Sequence, residues 1–104
     1  MAYLILRYTL KDGVSRDDFE EWVRTFDYPN MRGLKRVKSF HTYRTTALLV
    51  GEGQPAFDYF ELFEIDDFDG FCAEDMPGET VQAVMGAFMQ WVDNPEFNIV
   101  ERID

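Results

Sequence analysis

Histidine and cysteine are almost missing from this 104-residue chain, which holds only His41 and Cys72. Two such residues cannot assemble a zinc site from the usual nitrogen and sulfur ligands. A lone thiol leaves no intramolecular disulfide to form and fits a reducing compartment. Basic residues are scarce as well, ten against twenty Asp and Glu, for a net charge of −10. That balance argues against nucleic-acid binding, which requires phosphate neutralisation, and disfavours attraction to an anionic membrane surface. No G-x-G-x-x-G follows the first apolar segment and no G-x-x-x-x-G-K-[ST] occurs, so no nucleotide cofactor is expected. A G-x-S-x-G elbow is also absent. The acidic run "IDDFDGFCAEDM" lacks the spacing of a twelve-residue calcium loop, so no metal is assigned to it, and Cys72 within it is given no nucleophilic role. Long hydrophobic runs are missing too. "MAYLILRYTL" is broken by Arg7 and is too short to span a membrane, so it reads as a strand, with a cytoplasmic location expected by default.

What is abundant is aromatic surface: ten Phe, five Tyr and two Trp. That supply suits a lined cavity, a subunit interface, or a ring-rich core. The length fits one domain spanning 1–104. Residues 2–8 are β-rich and end at the turn signal "KDG". Ser15 stands three positions before Asp18 as an approximate capping box, and Phe19, Trp22, Val23 and Phe26 then repeat at helical spacing. The spacing predicts a helix that stops at "DYPN", because Pro29 disfavours helical geometry at Tyr28. From Gly33 the chain turns extended through "VKSFHTYRTTALLV", reverses at "GEGQP", and returns as the strand "FDYFELFEI" (57–65). "DDFDGFCAEDMPG" reads as a loop with at most one short helical turn. Val81, Val84, Met85, Phe88 and Val92 trace a second helical face, which "DNP" (93–95) ends before a final strand, "EFNIVERI" (96–103).

The order β-α-β-β-α-β is the ferredoxin-like split βαβ plan, an α+β fold with a four-stranded antiparallel sheet and both helices on one face. Strands 1 and 3 are then central and strands 2 and 4 are edges. Both faces of these strands carry apolar residues, yet one helical layer covers only one face. A homodimer that packs the two open sheets together would cover the other face and protect the edges.

Several strings, "YLILRYTLK", "GVSRDDFEEWVRT", "DYPNMRGLKRVKSF", "EDMPGE" and "VDNPEF", together closely resemble the RedY-like family over nearly the whole chain. The resemblance implies a dimeric α+β barrel and a place in prodigiosin-type (prodiginine, red tripyrrole) pigment biosynthesis. Relatives in fold include cofactor-free monooxygenases and small polyketide cyclases. The resemblance brings no catalytic residue set, so candidates rest on chemistry.

His41 can exchange a proton near neutral pH, and Tyr43 shares its strand face two residues on. Arg7 on strand 1 and Glu61 on strand 3 interrupt apolar patterns, a cost unless each is paired or faces a wet cavity. The four are candidate catalytic residues; a structural Arg7–Glu61 ion pair and a seam position for His41 are the competing readings. Trp22, Phe26, Tyr59, Phe63 and Phe88 are candidate pocket walls, with core packing as the alternative for Trp22 and Phe26. Between Tyr28 and Gly51 there is no acid, while Arg32, Lys35, Arg36, Lys38 and Arg44 all lie there. That local charge suits either Glu96 and Glu101 of a partner chain across a dimer seam or an acidic pathway protein. The expected chemistry is cofactor-free proton shuttling on a hydrophobic, pyrrole-type intermediate during condensation or cyclisation. A cofactor-independent monooxygenase and a non-catalytic accessory that carries an intermediate or stabilises a pathway enzyme are the other expectations.

Overall fold

Alternation along the first strand organises the molecule. In the computed structural model, which describes residues 1–104, β1 (Ala2–Leu10) turns Leu4, Leu6, Tyr8 and Leu10 toward the helices and Tyr3, Ile5, Arg7 and Thr9 away from them. It pairs antiparallel with β3 (Tyr59–Ile65) on one side and β4 (Val92–Val100) on the other, while β2 (Val37–Arg44) pairs with β3. The sheet order β2-β3-β1-β4 leaves β2 and β4 as edges. This is the ferredoxin-like arrangement.

The first helix is longer than Pro29 suggests. Ser15 caps α1 (Arg16–Trp22) by accepting from the Asp18 N–H at 3.3 Å, with Asp17 and Asp18 in the first turn where the dipole favours acids. The chain then widens into a π-helical turn, Val23–Asp27, and continues as α2 (Tyr28–Arg32). Helix therefore runs on where the sequence predicts a stop. Pro29 has no N–H to donate, and its ring crowds the carbonyl four residues back. A wider turn directly before it, closed by the Tyr28 N–H on the Val23 carbonyl, eases that conflict. The same turn keeps Asp27 and Met31 on the buried side with Phe19 and Val23.

Two other expectations shift. The acidic segment after β3 holds more helix than one turn: α3 (Phe68–Gly70) runs into a second π-helical turn, Phe71–Asp75. Next, α4 (Glu79–Phe88) ends earlier than predicted, and Val92 belongs to β4, which carries Pro95 within it. An edge strand tolerates proline because one of its sides needs no ladder donor. Asn94 adopts φ +52° where the pairing with β1 shifts between Arg7 and Thr9, so β4 bends at "DNP" instead of starting after it.

Aromatic rings make much of the core. Tyr8 stacks on Tyr59 at 5.9 Å and meets Phe88 edge-on at 4.9 Å, and Phe40 stacks on Phe63 at 3.9 Å. No helix is long and apolar enough to cross a membrane.

Candidate functional site

Between the helix-side face of the sheet and the helices lies an apolar cavity of about 360 Å³. Leu6 and Phe63 form its floor, Phe71, Val84 and Phe88 its walls, and the exposed Phe97 and Ile99 stand on β4 at its margin. Sixteen residues line it, and the only two that are not hydrophobic are both acids, Asp27 and Glu61.

Both acids are buried, at 3% and 2% exposure. Glu61 reaches the cavity because β3 alternates and its odd positions Tyr59, Glu61, Phe63 and Ile65 all face the helices. Asp27 arrives from the opposite layer at the end of the first π-helical turn. Glu61 accepts a hydrogen bond from the Tyr8 hydroxyl. No hydrogen bond or ion pair satisfies Asp27.

Burial pushes Asp27 up to about 7, with some relief from the positive charge of Arg32. Burial also pushes Glu61 up to about 8; the nearby Asp27 charge adds to this and the Tyr8 hydrogen bond opposes it. Two acids that repel one another's charge in an apolar box lose their protons in coupled steps. Near neutral pH the pair can thus keep one proton and offer one carboxylate. Burial, then the Glu61 charge, holds Tyr8 far above its ordinary range, so it stays a hydroxyl donor. A carboxylic acid and a carboxylate lining an apolar cavity, one of them hydrogen-bonded by a phenol, have the components of general acid–base chemistry.

The sequence candidates do not converge. Of Arg7, His41, Tyr43 and Glu61, only Glu61 faces the cavity. Register sets this: Glu61 lies opposite Leu6 and Thr42, whereas Arg7 and Tyr43 lie opposite Phe60 and His41 lies opposite Leu62. Those three are exposed on the other face. Arg7 does not pair with Glu61; its Nε is 3.1 Å from Glu96. His41 Nδ1 is 3.4 Å from an Arg32 nitrogen. Among the ring candidates, Phe63 and Phe88 line the cavity. Trp22 and Phe26 stack on each other outside it. Tyr59 is buried elsewhere and donates to Glu20 at 2.6 Å.

Asp27 and Tyr8 were missed from the sequence. Their signal was an acid four residues after Val23 and eight after Phe19, in line with the apolar stripe, and a tyrosine in register with Leu4 and Leu6. Reading a helix end at "DYPN" hid the first.

Arg36 and Arg44 of the basic segment find carboxylate partners within their own chain. Arg36 reaches Asp67 at 3.0 Å, Glu74 at 3.2 Å and Asp75 at 3.3 Å, fastening the segment that carries the Phe71 wall to the start of β2. At Gly70 an added Cβ would lie 2.6 Å from Arg36 Nε, so a side chain there would push the clamp's Asp67 and Arg36 ends aside. Arg44 grips Glu20, which also accepts from Tyr59 and is thereby held down at about 2. Arg36 and Arg44 are thus paired with carboxylates of their own chain.

With that geometry in view, comparison with known proteins gives a consistent picture. The family model described as "REDY-like protein HapK" matches residues 2–103. The crystal structure of HapK from Hahella chejuensis is similar at 27% identity and a TM-score of 0.81, covering 99% of this chain and 93% of that one. Two others share the fold at lower identity. One is a dimeric ferredoxin-like protein of unknown function from Thermobifida fusca (17% identity, TM-score 0.75, 97% and 90% covered). The other is a variant of SnoaB, a cofactor-independent oxygenase from Streptomyces nogalater (12% identity, TM-score 0.77, 99% and 93% covered). A search of curated proteins finds no match.

Proposed function

The chain belongs to the REDY-like HapK family, and from that membership and its cavity we propose that it is an acid–base catalyst of prodiginine-type pigment biosynthesis. The observation that carries the reading is the pair Asp27 and Glu61, the only polar groups lining an otherwise apolar cavity. Burying two carboxyl groups against one another costs stability, and such strain is commonly retained where chemistry uses it. The ionised member takes a proton from a bound pyrrole-type intermediate, and the protonated member returns one at the position where the new bond or ring is completed. Tyr8 fixes Glu61 by hydrogen bonding. Phe63 and Phe88 offer apolar ring surface to a planar ligand.

The working unit is a homodimer. Tyr3, Ile5, Phe60, Leu62 and Val100 form a half-exposed apolar strip across the face without helices, and the edges β2 and β4 have unpaired backbone. Packing the two sheets face to face into a dimeric α+β barrel covers the strip and leaves each cavity on the outer, helical side. His41 and Arg7 then belong to the seam.

Product analysis in a pigment-producing strain lacking this gene tests the reading. Complementation with Glu61→Gln or Asp27→Asn should lower product formation at least about a hundredfold and leave an intermediate to accumulate. His41→Gln should stay within about threefold of the parent, as expected for a residue outside the reacting groups. A uniformly lower pigment yield with no accumulated intermediate would point to a binding accessory. Near-normal product from both carboxyl variants would remove the catalytic reading.

A further inference from the structure

We infer that the cavity selects a planar, conjugated nitrogen base and binds it as its cation, with the single carboxylate that Asp27 and Glu61 hold between them as the counter-charge. The inference rests on the proposed use of this cavity and names the class of ligand it takes.

The lining is one-sided in its hydrogen bonding. Its two polar side chains are both carboxyl groups, and no Lys, Arg or His is among its residues. At neutral pH the pair keeps one proton and offers one carboxylate, which only accepts. Within the chain, the Tyr8 hydroxyl gives one donor to Glu61, and nothing donates to Asp27 although that residue is 3% exposed. An unpartnered buried carboxyl is costly and becomes favourable when a ligand brings the missing donor. The nearest cation in electrostatic terms, Arg32, is committed elsewhere. Its guanidinium donates to the Phe40 carbonyl at 2.7 and 3.0 Å and stacks 3.6 Å over the Tyr28 ring.

The same inventory rejects other ligand classes. Carboxylate and phosphate ligands, including phosphate-bearing carriers and thioester cofactors whose phosphates enter the cavity, would meet like charge with no compensating cation. A neutral aromatic could fill the space but would leave the carboxylate without a charged donor. A cationic heteroaromatic satisfies both requirements: its rings pack on Phe63, Phe71 and Phe88, and its N–H groups make charge-assisted hydrogen bonds. About 360 Å³ lies at the small end of the roughly 300–1,000 Å³ range of small-molecule sites, which suits a few fused or linked rings.

The test compares three probes with the same ring and different charge: 2-naphthamidine, 2-naphthamide and 2-naphthoate, titrated calorimetrically into the full-length protein at neutral pH. The amidine should bind at least about tenfold more tightly than the amide, the difference between charged and neutral donors, and the naphthoate should bind more weakly than both. In Asp27→Asn and Glu61→Gln the amidine should lose about tenfold or more, while the amide changes by less than about threefold. Circular dichroism confirms that each variant is folded, and the parent-protein series stands without them. Amide binding equal to amidine, naphthoate binding best, no binding of the amidine, or amidine affinity unchanged in both variants would each overturn the inference. Those outcomes are separable from failure of the catalytic reading, which is scored by pigment formation and not by probe charge.

Discussion

Phe60 and Glu61 are adjacent on β3 and occupy opposite worlds. Glu61 points into the helix-side cavity with its proton held by burial, while Phe60 joins Ile5 and Leu62 on the face that has no helices. On the helix side, acids lie among rings. On the open side Arg7, His41 and Tyr43 stand exposed around an apolar strip, and Arg7 is neutralised by Glu96. One face has acids buried among apolar side chains, which suits chemistry. The other has apolar groups where water is present, which suits association. The same strands supply both because side-chain direction alternates with period two.

The largest effect that separates the two faces is predicted for the open one. Leu62→Asp would put a charge into the middle of the proposed sheet–sheet contact. It should weaken dimerisation at least about a hundredfold, while the cavity behind it remains intact. Sedimentation velocity reads this directly. The parent should run as a dimer at micromolar concentration, with more than about 1,000 Å² of total surface buried. A monomeric parent would contradict the assignment of the open face.

The helix-side face should show itself in stability against pH. The folded-state values of Asp27 and Glu61 are raised above their unfolded ones. The folded chain therefore binds more protons than the unfolded chain between roughly pH 4 and pH 8, and stability falls as pH rises through that window. Asp27→Asn removes one of the two charges. It should leave stability little changed near pH 4 and raise it at pH 9 by on the order of 1–3 kcal/mol, measured by denaturant unfolding. A variant less stable than the parent at pH 9 would mean that Asp27 is compensated in a way its surroundings do not reveal. Glu20 runs the other way. Arg44 depresses it, so its contribution is present above pH 5 and is lost as pH falls toward 2.

The ferredoxin-like plan was legible because it depends on periodicity and order. Turn signals and apolar spacing along β1, α1, β3 and α4 state it, and the central and edge strands follow from the topology. The site was only half legible. Glu61 stood out as a charge inside an apolar strand, but its partners could not be chosen without register. One residue of slip turns a side chain to the other face, and Arg7, His41 and Tyr43 each lie on the face away from the cavity. Asp27 was hidden by a different cause. Proline at 29 carries a strong local signal to stop, and the π-helical turn that overrides it is a tertiary solution with no one-residue mark. The charge run 32–44 suggested an external partner because the sequence does not show how β2 meets the segment after β3. Folding brings Arg36 to three carboxylates that lie more than thirty residues away.

The central claim is that Asp27 and Glu61 form a coupled, proton-retaining pair on the cavity side of the sheet. Side-chain carboxyl ¹³C chemical shifts followed by NMR from pH 3 to pH 10 test it most directly. Two carboxyl groups should titrate near neutrality, well above the remaining acids, and Asp27→Asn should move the Glu61 transition downward because a neighbouring negative charge has been removed. If every carboxyl has ionised by pH 5, the pair holds no proton at neutral pH, and the acid–base account of this cavity is contradicted.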